Sequence, residues 1–114
     1  MRMLLNVRFP AEPFNTLVRK GEAGNILRSI LEDLKPEAAY FTDDRGQRAG
    51  ILVVDLPSPS DVPRIVEPFF LKFNADCQFK VVMSAEDLAH AGLEALGKKW
   101  GRAVSRYCVN TSTR

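Results

Sequence analysis

The sequence predicts an α+β domain in which a small antiparallel sheet carries helices on one side. Three observations lead there. The opening stretch MRMLLNVRF alternates with the two-residue period of a strand. EAAYFTD and RAGILVVDL read as two further strands joined by a short turn at DDRGQ. Between the strands, apolar residues recur at helical spacing: Leu27, Ile30, Leu31 and Leu34, then Ile65, Val66, Phe69, Phe70 and Phe73.

In the first strand Met3, Leu5, Val7 and Phe9 share one face, and Arg2, Leu4, Asn6 and Arg8 share the other. Pro10 and Pro13 end it. A helical stretch is expected from about Pro13 to Lys35, stopped by Pro36. Gly21 and Gly24 lie in its middle, where glycine costs about 1 kcal/mol, so a bend or break is expected there. The hairpin that follows is expected to turn through a three-residue loop, Asp44 to Gly46, with Gly46 left-handed. That loop sets Tyr40 opposite Gly50 and Thr42 opposite Arg48, and it assigns Asp43, Asp44 and Arg45 to the turn. A slip of one residue would exchange Tyr40 for Phe41. The unbroken apolar run Ile51 to Val54 suggests a strand buried on both faces.

Ser58, Pro59 and Asp61 have the spacing of a helix start, and SAED, Ser84 to Asp87, repeats it before the last helix. Pro68 inside the second helix should kink it. ADCQFKVVM is a fourth strand, with Cys77, Phe79, Val81 and Met83 on one face and Gln78, Lys80 and Val82 on the other. The last helix is expected from about Ala85 to Lys99, with Ala89, Leu93, Leu96 and Trp100 in one stripe. Residues 1–100 form a single domain in this reading, and residues 101–114 a tail that is extended or disordered.

Composition narrows the function classes. The chain has 114 residues, 46% hydrophobic and 26% charged, as in an ordinary soluble globule. Lys and Arg number 16 against 14 Asp and Glu, interspersed rather than striped, which disfavours nucleic acid as a partner. Only from Lys98 onward do bases stand without acids, a pattern that suits a solvated basic tail or an anionic surface. Cys77 and Cys108 have neither a disulfide-framework nor a zinc spacing, which suits reduced thiols and a cytoplasmic location. The apolar run before Asn6 is short for a leader segment, and no stretch approaches a membrane span, so no membrane partner is expected.

The order strand, helix, strand, strand, helix, strand is the split βαβ arrangement of ferredoxin-like folds, here βαββαβ with an extra C-terminal helix. Its helices cover one sheet face, whereas Leu4, Leu52, Val54 and Val82 are expected on the other. A second copy of the same sheet is the simplest cover for such a patch.

On MLLNVRF, YFTDDRGQRAGILVVDL, PSPSDVPRIVEPFFLKF and CQFKVVMSAEDLAHA, about residues 1–100, the chain resembles the dimeric α/β-barrel superfamily, in particular its small bacterial members. The resemblance implies a homodimer with sheets packed face to face as a dimeric α/β barrel. That group includes muconolactone isomerases, antibiotic monooxygenases and other cofactor-free monooxygenases, chlorite-dismutase-like haem proteins and stress-response proteins. Such breadth means that fold does not decide function.

The expected inter-sheet space has an apolar floor with Asn6, Arg8, Tyr40, Arg48 and Lys80 as polar groups. Its cations favour a small anionic or aromatic metabolite as ligand. A plainer reading stands beside this one. Arg8 and Arg48 reach solvent or pair with Asp43, Asp55 or Glu86, and Tyr40 is a core aromatic. The alternative function is a cofactor-independent isomerase or monooxygenase with Tyr40 or His90 moving a proton and Asn6 or Arg8 holding an oxyanion. His90, the only histidine, is expected mid-helix and off the apolar stripe. No HxxE or HxH pair suggests a metal, no phosphate loop or nucleophile elbow occurs, and no cofactor is expected. The central strands lack the aromatics that RNA-binding relatives of this fold stack on bases.

Overall fold

The computed structural model describes residues 1–101. They form two compact units, Met1–Val82 and a second beginning at Met83. The first holds strands β1 (Arg2–Phe9), β2 (Ala38–Asp44), β3 (Gln47–Asp55) and β4 (Asp76–Val81), and helices α1 (Ala11–Arg19), α2 (Ala23–Leu34) and α3 (Val62–Phe73). The strands make one sheet in the order β2-β3-β1-β4, antiparallel at every pairing. This is a ferredoxin-like α+β arrangement, with β3 inserted between β2 and β1 and β1 between β3 and β4.

One sheet face is built for the helices. Met3, Leu5, Val7 and Phe9 of β1 and Leu52 and Val54 of β3 are buried there against Phe14, Ile30, Ile65, Phe69 and Phe73. Four phenylalanines close one end of this core. The Phe9 ring meets Phe14 and Phe73 edge-on, each at 5.2 Å, and Phe14 stacks on Phe73 at 4.9 Å. Such pairs contribute about 0.5–1.5 kcal/mol each beyond the area they bury.

The expected bend in the first helix is a full break. Gly21 adopts φ +73°, its N–H and that of Glu22 return to the carbonyls of Val18 and Leu17, and α2 starts afresh at Ala23. The two helix starts that look alike in sequence differ. At Ser84 both halves of the capping box form: the Asp87 N–H donates to Ser84 Oγ at 3.1 Å, and the Ser84 N–H to Asp87 Oδ2 at 3.0 Å. Ser58 makes no such cap. A 3₁₀ turn over Pro59–Asp61 intervenes, α3 begins only at Val62, and the Ser58 hydroxyl bonds Ser60 instead. In the second unit the expected single helix is two: α4 (Ala85–Ala89), a break at Gly92 with φ +75°, then α5 over residues 93–101. His90 therefore terminates α4 rather than lying mid-helix. The expected tail lies, from residue 102, outside the described residues.

The hairpin corrects the expected register. Asp44 pairs with Gln47, so the loop has two residues, Arg45 and Gly46, both with positive φ (54° and 81°). That is the mirror-image turn whose twist matches the flanking strands, here with arginine where asparagine or aspartate is usual. Asp43 and Asp44 belong to β2, not to the turn. Tyr40 stands opposite Ile51, and it is Phe41 that faces Gly50. A side chain at Gly50 would meet the Phe41 ring at 3.2 Å, so glycine lets that ring lie across the strand. With β3 shifted by one, Leu52 and Val54 turn to the helices, contrary to expectation, and Ile51 and Val53 take the other face.

Two outcomes follow from this packing. Phe73→Ala empties a fully buried site and should cost about 3–5 kcal/mol of unfolding free energy, read from urea melts. Cys77 on β4 packs against the core, and burial first, the neighbouring Asp76 carboxylate second, push its thiol up to about 12. In a Cys108→Ser background, iodoacetamide at pH 8 should label Cys77 at least about tenfold more slowly in the folded protein than in urea, because the thiolate is the nucleophile.

Candidate functional site

The sheet face away from α1, α2 and α3 is a grid whose rows run across β2, β3, β1 and β4. One row is Ala38, Val53, Leu4 and Lys80; the next is Tyr40, Ile51, Asn6 and Gln78; the third is Thr42, Ala49, Arg8 and Asp76. Asp44 and Gln47 complete the hairpin end. Its apolar part is Leu4, Tyr40, Ile51 and Val53, with Tyr40 69% and Ile51 36% exposed, and Asn6, Arg8, Asp44, Gln47, Asp76, Gln78 and Lys80 supply its amides and charges.

A cleft of about 230 Å³ opens over the second and third rows. Asn6, Arg8, Thr42, Asp44, Asp76 and Gln78 give it polar walls, and Ala49, Gly50 and Ile51 give it an apolar floor. Backbone direction explains the gathering. Even-numbered positions of β1, β2 and β4 and odd-numbered positions of β3 project to this face, so residues distant in sequence become neighbours across the ladder.

Arg8 is the centre of the charged end. Its Nε lies 3.3 Å from Asp44 Oδ2, enclosed and outside hydrogen-bond geometry, while Nη2 donates to Gln47 Oε1 at 3.0 Å. The guanidinium thus spans from β1 across β3 to the end of β2. Asp76, its register partner on β4, holds no ion pair among the described residues.

Of the residues expected at the site, Asn6 and Arg8 line the cleft. Tyr40 and Lys80 share the face but stand outside the lining. Arg48 is on the opposite face. It pairs with Phe9, its guanidinium carbon sits 4.4 Å above the Phe14 ring, and Nη1 donates to Asn15 Oδ1 at 2.8 Å. The cation was misplaced because the real hairpin loop is one residue shorter than the assumed one. His90 belongs to the second unit, at the end of α4. Among the described residues no group of three or more His, Cys, Asp or Glu is placed to hold a metal ion, and no helix is long and apolar enough to cross a membrane.

Sequence reasoning missed Asp44, Gln47 and Asp76. Asp76 was readable, since it shares the parity of Gln78 and Lys80. Asp44 and Gln47 were hidden by the longer loop. The Arg8–Asp44 pair, with side chains 32% and 46% exposed, lies largely in solvent reach. A double-mutant cycle of Arg8→Met and Asp44→Asn should therefore give a coupling below about 1 kcal/mol in urea melts, decreasing with added salt.

No protein-family model matches the chain, and no curated protein sequence matches it. Among solved structures it is similar to a formyltetrahydrofolate deformylase from Pseudomonas putida KT2440, at 12% identity and a TM-score of 0.43 over 72% of this chain. It spans only 29% of that enzyme's chain. It is also similar to a de novo designed protein, Ferredog-Diesel, at 12% identity and a TM-score of 0.44 over 71% of this chain and 85% of that one.

Proposed function

We propose that the protein is a small cytoplasmic homodimer that binds a small metabolite in the cleft on its uncovered sheet face, with a second copy's sheet as cover. The observation that carries this reading is the coincidence of a cleft with an apolar strip on the face away from α1, α2 and α3. Asn6, Arg8 and Gln78 border the cleft, and Leu4, Tyr40, Ile51 and Val53 continue beside it on the same face. α1, α2 and α3 offer these residues nothing, because they pack on the other side. A twofold partner would remove the strip from water and enclose the cleft.

The cleft is smaller than the ~300–1,000 Å³ typical of drug-sized ligands, which suits a compact metabolite. The reading as a cofactor-free isomerase or monooxygenase gains no comparable observation. Tyr40, one of its two proton-transfer candidates, stands largely in solvent and outside the lining.

Sedimentation velocity at micromolar concentration tests the cover. The wild-type chain is expected to sediment as a dimer and Ile51→Lys as a folded monomer, since the substitution places a charge in the middle of the strip. A wild-type protomer that stays single would remove the reading.

A further inference from the structure

Building on the proposed cleft, we propose that its ligand is a small aliphatic amine carrying hydroxyl or amide groups, with the ammonium group held against Asp76. The charges of the lining point that way. Arg8 is its single cation, against the Asp44 and Asp76 carboxylates of the same face. Arg8 is already matched by the Asp44 carboxylate and the Gln47 amide oxygen. The two cations that would have drawn an anion stand elsewhere: Arg48 over Phe14 on the helix side, and Lys80 one row away and outside the lining. An anion entering here would meet surplus negative charge.

The remaining polar groups are free to serve a ligand. The Asp76 carboxylate, the Asn6 and Gln78 amides and the Thr42 hydroxyl have no side-chain hydrogen bond or ion pair among the described residues. Asn6 and Gln78 are direct register partners, and Asp76 is the next same-face residue on β4. A charge acceptor therefore stands beside two amides, each able both to donate and to accept. An ammonium on Asp76 makes a charge-assisted bond, hydroxyls or amides along the same molecule satisfy Asn6 and Gln78, and a short carbon chain lies over Ala49 and Ile51. The cleft's 230 Å³ equals about seven or eight waters at ~30 Å³ each, enough for a molecule of three or four carbons with its substituents.

Three matched probes separate charge from shape: 3-amino-1,2-propanediol, glycerol and glycerate, each titrated at pH 7 and low salt while amide resonances are followed by NMR. The amine is expected to bind tightest and to shift the Asn6 and Gln78 side-chain signals, with glycerol weaker and glycerate weakest. Asp76→Asn should weaken the amine about tenfold or more, the usual worth of a hydrogen bond to a charged group, and leave glycerol unchanged. Asp76 is exposed, so the variant should fold, which its urea midpoint verifies. Glycerate binding best, or Asp76→Asn holding the amine as well as wild type, would overturn the amine assignment while leaving the cleft as a binding site. No shift at Asn6 or Gln78 with any probe would overturn both.

Discussion

The structure depends on one asymmetry: all three helices of the first unit, α1, α2 and α3, pack on a single side of its sheet. Everything on that side is fixed by packing, from the phenylalanine cluster at Phe9, Phe14, Phe69 and Phe73 to the buried Leu5, Leu52 and Val54. On the other side none of these three helices packs, and the face is divided: Leu4, Tyr40, Ile51 and Val53 give it an apolar part, while Asn6, Arg8, Asp44, Asp76 and Gln78 give it amides and charges.

Strand and helix order was legible because period and punctuation agree in this chain. The alternation of β1, the proline at position 10, and Gly21 and Pro36 on either side of α2 each mark a boundary with a separate mechanism. The hairpin register was not legible. DDRGQ accommodates a loop of two or three residues, and the arginine at the first loop position does not advertise the positive φ it adopts. The slip was nevertheless harmless to the architecture. Ile51, Leu52, Val53 and Val54 are all apolar, so moving the strand by one leaves two of them on each face. The expected Leu52 and Val54 are exchanged for Ile51 and Val53 on the face away from α1, α2 and α3.

The site was less fortunate, because polar residues do not come in interchangeable runs. The same slip carried Arg48 from the cleft to the top of Phe14 and set Ala49 opposite Thr42 in its place, while Asp44 moved from loop to strand and became the neighbour of Arg8. The lining expected to be cationic thus holds Asp44 and Asp76 beside one arginine, Arg8, which Asp44 already pairs. Errors of one residue in a strand cost little where chemistry is uniform and decide everything where it is not.

The division into two units has a practical side for anyone following how this molecule folds. Its single tryptophan, Trp100, belongs to α5 in the second unit, while all seven phenylalanines and Tyr40 lie in the first. Indole emission therefore reports from that helix, whereas circular dichroism registers the melting of the sheet. Whether the two signals fade together would reveal whether the pieces melt as a cooperative whole.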